Sequence, residues 1–157
     1  EYDKYIKVIL DSKGTELGTN DFTDSKAVEA GDVIYKCDVE GTTKYIVPLN
    51  GNGLWGAIWG YVALNDDKNT VYGIYFNHAS ETPGLGAEIV TPAFKDPFKG
   101  KQISKNGELK SIAVVKKGSS VEGQDYVDGI SGGTITSVAV GDMIKSSLEK
   151  YKEFLMK

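Results

Sequence analysis

Asp128-Gly129-Ile130-Ser131-Gly132-Gly133-Thr134-Ile135-Thr136-Ser137 is a polar turn that runs directly into an apolar, helix-periodic tail. Beyond it Val138, Met143, Ile144, Leu148, Tyr151 and Leu155 recur at helical spacing, which predicts a closing helix from about Thr136 to Leu155. Thr134 and Ser137 then stand where N-caps are expected. A helix that begins behind Gly132-Gly133 leaves first-turn N–H groups without partners, and its dipole adds partial positive charge at the same end. The segment is a candidate seat for an anion, phosphate above all, with hydroxyls beside it. It lacks the G-x-G-x-x-G spacing of a dinucleotide fingerprint and the G-K-[ST] ending of a P-loop.

Upstream of this turn the pattern is one of short strands. Tyr5 to Leu10 is β-branched and reads as a first strand, followed by a polar, Gly-containing segment through Asn20. Val33 to Val39 and Thr43 to Val47 read as strands joined at Glu40-Gly41, a hairpin signal. Gly53 to Gly60 is studded with glycine and carries Trp55 and Trp59; Tyr61 to Leu64 and Val71 to Phe76 flank a polar turn and form a second hairpin. Pro83-Gly84 breaks any regular element, and Ala87 to Val90 predicts a short helix ending before Phe94. Lys99 to Ser104 and Ile112 to Val115 read as further strands, and Tyr126-Val127 leads into the closing turn. Strands without regular strand–helix alternation predict α+β, a twisted and mainly antiparallel sheet with flanking helices and a long C-terminal helix.

At 157 residues the chain is read as a single domain, residues 1–157, and no apolar run approaches the roughly 20 residues that span a bilayer. All 18 basic residues are lysines, so no arginine fork exists and a bound phosphate falls to backbone amides, hydroxyls or a lysine. The formal charge of −4 argues against a nucleic-acid partner. With Cys37 the lone cysteine and His78 the lone histidine, the chain lacks the ligands for a zinc or iron–sulfur site, and Cys37 reads as a small buried hydrophobe.

Three strings carry a family resemblance. Asp128 to Thr136 resembles the flavinylation motif Asp-x-x-Ser/Thr-Gly-Ala-Ser/Thr-x-Thr, with Gly133 where alanine is usual. His78-Ala79-Ser80-Glu81-Thr82-Pro83-Gly84-Leu85-Gly86-Ala87 is similar to the Glu-Thr-Pro-Gly-Leu-Gly loop in the C subunits of the sodium-translocating NADH:quinone oxidoreductases; the G subunit of the related electron-transport complex has a similar loop. Pro48 to Tyr61 holds Gly53-Leu54-Trp55-Gly56, which resembles the Gly-Leu-Trp-Gly block of those C subunits in particular. The chain is identified on these strings as a member of the covalent FMN-binding domain family.

The resemblance implies FMN joined through its phosphate to Thr136, with Thr134 the competing acceptor by chemistry alone. It also implies Ser131, Gly132 and Gly133 beside the phosphate, and Asp128 orienting the turn or helping a separate flavin transferase. Threonine is a poor nucleophile at its own pKa and has no histidine or other base beside it in sequence, so self-modification is not expected. Thr82 and Leu85, then Trp55 and Tyr126, are the expected ring contacts; Gly84 and Gly86 would let backbone N–H groups approach the ring. Glu81 reads as a solvated loop carboxylate or as charge near the flavin, and Lys116 is the lysine expected near phosphate or ribityl chain. The family role is electron relay, with no catalytic residue of its own, in a membrane NADH:quinone reductase whose other subunits include a second FMN carrier. The domain would be extracytoplasmic, behind an N-terminal membrane anchor that precedes this sequence. The G subunit of a ferredoxin:NAD oxidoreductase complex and a soluble noncovalent FMN module are the alternatives.

Overall fold

Strand alternation governs the first half of the chain. In β4 (Thr42–Asn52) Val47 and Leu49 are buried; in β5 (Ala57–Leu64) Ile58, Val62 and Leu64 are, and in β6 (Val71–His78) Phe76 is. One face is thereby apolar and needs cover. The computed structural model of the chain describes residues 6–11, 16–19, 33–39 and 41–156. With β1 (Ile6–Asp11), β2 (Glu16–Thr19) and β3 (Val33–Val39), these strands make one antiparallel sheet of six in the order β2-β1-β3-β4-β5-β6. The α+β class read from the sequence is the observed one. Tyr5 and Glu40, part of the expected first strand and first turn, lie outside the described residues.

The cover is the long helix Thr134–Lys150, whose Val140, Met143, Ile144 and Leu148 lie against β4 and the short strand β9 (Ala113–Val115). Gly51 of β4 leaves the space that Met143 fills, since a Cβ there would stand 2.8 Å from Met143 Cβ. Phe76, Phe94 and Phe98 close one end of the core as mutually tilted rings with centroids 5.4–5.5 Å apart.

Several elements differ from the sequence reading. β2 falls inside the segment read as a polar connection, where Glu16 to Thr19 pair with β1. β4 runs on through Pro48 to Asn52, past the expected end at Val47. Proline is tolerated because, among the described residues, the pairing of β4 with β3 ends at Ile46, so the missing N–H breaks no described ladder bond: Asn50, two residues on, donates its own N–H to Ser147 Oγ at 3.1 Å. Lys99 to Ser104 is largely backbone-bonded turn, with Val71 N–H donating to Lys101 O and Gly100 N–H to Val71 O. Its only strand is Ser104–Lys105 (β7), paired with Glu108–Leu109 (β8). The expected helix near Ala87 is a 3-10 turn Gly86–Val90, followed by a short helix Pro92–Lys95 that includes Phe94. β9 pairs in parallel with β10 (Tyr126–Asp128), which delivers the chain to the closing turn.

The final helix starts two residues earlier than expected and breaks at Tyr151 before the short helix Lys152–Leu155. Its N-cap is Gly133, without a side-chain capping bond, so Thr134 and Ser137 are not the caps. Ser137 instead donates to Gly133 O at 2.8 Å and accepts from Ile130 N–H at 2.9 Å, tying the turn to the first helical residues from inside. Val138, counted with the apolar stripe, is 49 % exposed; Val140 takes the core position. No helix among the described residues is long and apolar enough to cross a membrane.

Candidate functional site

The tip of the β4–β5 hairpin turns at Gly53, whose N–H donates to Gly56 O at 2.8 Å, and so points the Leu54 and Trp55 N–H groups out of the ladder. Both find one carboxylate. Leu54 N–H donates to Glu81 Oε1 and Trp55 N–H to Glu81 Oε2, each at 2.8 Å. The segment after β6 is clasped to the hairpin tip once more by Ser80 Oγ donating to Trp55 O at 3.0 Å, and is braced within itself by Glu81 N–H donating to His78 Nδ1 at 3.1 Å. His78 therefore has a structural duty in holding this loop.

The third segment is the first turn of the long helix. Thr136 Oγ1 donates to Glu81 Oε1 at 2.6 Å, and both residues are 3 % exposed. The expectation of a solvated Glu81 is overturned: it is buried at the junction of three segments that lie far apart in sequence. Burial alone would raise its pKa, but the hydrogen bonds from Thr136, Trp55 and Leu54 outweigh that and hold the carboxyl below the usual carboxylate range. Two glycines make room for this pair. A Cβ on Gly53 would overlap Glu81 Oε1, and one on Gly86 would overlap Thr136 Oγ1.

A cavity of about 240 Å³ opens over Thr136, lined by Leu54, Trp55, Thr82, Leu85, Gly86 and the backbone turn from Gly132 to Thr136. Most of the expected contacts thus converge: Trp55, Thr82, Leu85, Gly86, Gly132, Gly133, Thr134 and Thr136 share one hollow. Trp55 is 64 % and Leu85 42 % exposed, so the rim offers apolar surface to a flat ligand. The first-turn N–H groups of any helix lack intrahelical acceptors, and with Gly133 as the cap no capping side chain satisfies them here.

Other expected residues stand elsewhere. Ser131 and Lys116 line a second hollow of about 360 Å³ with Lys117, Ile130 and Ser137, and this hollow shares Gly132 and Thr134 with the first. Asp128 is exposed and borders a third hollow with Lys117 and Phe94. Tyr126 is half-buried in β10 and lines neither of the first two hollows. Gly84 has φ +77 with no atom within 4 Å of a Cβ, and Leu85 N–H donates to Thr82 O at 3.0 Å. Pro83 and Gly84 are therefore the central pair of a tight turn of type II signature, which explains Gly84 without a ligand. At Gly133 an added Cβ would lie 3.1 Å from Leu85 C and 3.2 Å from Gly86 N. The absent methyl lets the Thr82–Gly86 loop sit down close on the helix terminus.

Two lining residues, Leu54 and Ile135, were not singled out from the sequence. Leu54 lies inside the Gly-Leu-Trp-Gly block, which was the available signal; Ile135 occupies an unspecified place in the flavinylation pattern and gave none.

Comparison with known proteins gives the family. Residues 53–149 match the family model described as FMN-binding domain. The C subunit of the Na(+)-translocating NADH-quinone reductase of Vibrio vulnificus is 42 % identical over 101 residues, which are 64 % of this chain and 40 % of that protein. The crystal structure of the corresponding C subunit from Parabacteroides distasonis superposes with a TM-score of 0.87 at 48 % identity, covering 99 % of this chain and 81 % of that one. NqrC of Shewanella oneidensis superposes with a TM-score of 0.67 at 26 % identity, covering 99 % and 80 %. The chain spans about 40 % of the length of the curated relatives it matches. With its matched residues covering the hairpin tip, the Glu81 loop and the helix terminus, the chain belongs to the FMN-binding domain family, in the branch formed by the C subunits of Na(+)-translocating NADH-quinone reductases.

Proposed function

We propose that this domain carries FMN in phosphoester linkage to Thr136 and relays electrons within a sodium-translocating NADH:quinone reductase. It turns over no organic substrate itself. The observation that carries the reading is Thr136: it lines the hollow walled by Leu54, Trp55, Thr82 and Leu85, and its hydroxyl donates to a buried carboxylate. Thr134, the competing acceptor, lies on the exposed ridge between the two hollows.

The residues suit the group. About 240 Å³ is less than the roughly 300–1,000 Å³ of sites that enclose a drug-sized ligand, so the hollow takes the phosphate end, while Trp55, Leu85 and Ile135 offer apolar surface to the ring. Without arginine, the phosphate falls to the helix-terminal N–H groups. When bound, FMN supplies the redox chemistry; the chain fixes it, shields one side and leaves an outer edge open to a partner. Lys116 and Ser131, in the second hollow, do not contact a phosphate on Thr136 in this reading.

The remaining parts of the proposal follow the C subunits that the chain resembles. A flavin transferase installs the FMN, the domain faces the extracytoplasmic side behind a membrane anchor, and a second FMN-carrying subunit is the redox neighbour. Co-expression with a flavin transferase tests the central claim. Thr136→Ala should abolish flavin fluorescence that survives denaturation, and Thr134→Ala should keep it. The reverse pattern would move the acceptor, and fluorescence lost on denaturing the unaltered protein would make the domain a noncovalent FMN module.

A further inference from the structure

We infer that Glu81 is the proton acceptor for the Thr136 hydroxyl when FMN is attached, so that the domain brings its own base to a reaction catalysed by another protein. The inference rests on Thr136 being the acceptor and adds a role for a residue 55 positions away in sequence.

A threonine hydroxyl attacks phosphorus slowly unless a base takes its proton as the new bond forms. At Thr136 that base is in place, with Oγ1 donating to Glu81 Oε1 at 2.6 Å inside the range required of a general base. The carboxylate is fixed, because Leu54 and Trp55 N–H groups hold Oε1 and Oε2 at 2.8 Å and forbid rotation. The groups facing Glu81 are the Thr136 hydroxyl from the helix, backbone N–H groups from the hairpin tip and, as the titratable neighbour, His78 from β6. Three donors converge on its two oxygens, an arrangement that a carboxylate satisfies and an amide, with one acceptor oxygen, does not. An ionised group is what proton transfer requires.

The step balances without redox change. Thr136 Oγ bonds to the flavin-bearing phosphorus of a flavin dinucleotide, the anhydride P–O bond breaks, and its electron pair leaves with the nucleoside monophosphate. The hydroxyl proton passes to Glu81. Glu81 is a weak base in the resting domain and accepts the proton late, as the forming O–P bond makes the hydroxyl acidic. The resulting neutral acid then avoids placing a carboxylate against a phosphodiester.

The test follows attachment by intact mass, with purified domain, flavin transferase and flavin adenine dinucleotide. Glu81→Gln keeps the size of the side chain and one oxygen for the Thr136 and Leu54 donors, turns an NH2 group toward the Trp55 N–H and loses the base; attachment should slow by about a hundredfold or more. The variant-to-wild-type rate ratio should climb in proportion to hydroxide, which replaces the missing base, whereas a purely structural role would leave it independent of pH. In Glu81→Ala, added formate should restore attachment in a dose-dependent way that chloride at equal ionic strength does not. If the Gln variant melts below the assay temperature, the Ala–formate comparison decides alone. Wild-type rates in Glu81→Gln, or a pH-independent deficit without formate rescue, would overturn the inference. Failure of the underlying reading shows separately, as FMN mapped to Thr134 in the unaltered domain.

Discussion

Replacing Gly86 by alanine probes the junction from the loop side. Gly86 is buried and its φ is not in the left-handed region, so the backbone itself tolerates alanine. The obstacle is steric: the new Cβ would overlap Thr136 Oγ1 and stand 3.0 Å from Thr136 Cβ and 3.3 Å from Glu81 Cβ. Either the loop lifts, an overpacking cost of about 1–3 kcal/mol, or the hydroxyl rotates away and Glu81 loses a charge-assisted hydrogen bond of about 1.5–3 kcal/mol. A loss of about 2 kcal/mol corresponds to roughly 4–8 °C in melting temperature for a domain of this size. The cause can be isolated by a double-mutant cycle with Thr136→Ala, which removes the oxygen in the way. In that background Gly86→Ala should cost about 1 kcal/mol less, the coupling expected of residues in contact. Urea melts of the four proteins measure it. Equal cost in both backgrounds would show that Gly86 is not held against the Thr136 hydroxyl.

Two further outcomes follow from the same geometry. Glu81 has its folded pKa held below the ordinary 4.5, so its bonds to Thr136, Leu54 and Trp55 stabilise the domain fully above that pH, and this stability is lost as pH falls through the folded value. The stability gap between wild type and Glu81→Gln in urea melts should therefore shrink on acidification below about pH 4.5; a gap that is constant or widens there would contradict the buried carboxylate. Asp67 and Asp125, also depressed by hydrogen bonds that outweigh burial, act equally in both proteins and drop out of the difference. Leu85→Lys on the exposed rim should leave the fold intact and raise the flavin reduction potential by favouring anionic reduced states. An unchanged potential in a redox titration would remove Leu85 from the ring's surroundings.

Local chemistry made much of this protein legible in one dimension. Strand alternation and Gly41, at φ +81 in the first hairpin turn, gave the central strands, and the spacing of Met143, Ile144 and Leu148 gave the buried helix face. Gly132 to Thr136 of the closing string meet Thr82, Leu85 and Gly86 of the loop as expected, because each motif is contiguous and its backbone requirements are local, whereas Asp128 and Ser131 of the same string stand at other hollows. What the sequence left hidden depended on neighbours supplied from afar. Pro48 ends a strand in isolation, yet β4 continues because, among the described residues, its pairing with β3 stops at Ile46 and the missing N–H costs no described bond. Thr134 and Ser137 suit an N-cap by type, but the packed turn gives Ser137 an internal acceptor and leaves Gly133 as the cap. Glu81 reads as a solvated loop carboxylate until the hairpin tip brings two N–H groups and the helix brings a hydroxyl to it. Tertiary structure likewise placed Lys116 and Ser131 in a different hollow from Thr136, with Gly132 and Thr134 lining both. Motif spacing fixes which residues can approach one another, while burial and hydrogen-bond partnership arise only when β4–β5, the Glu81 loop and the helix terminus are packed together.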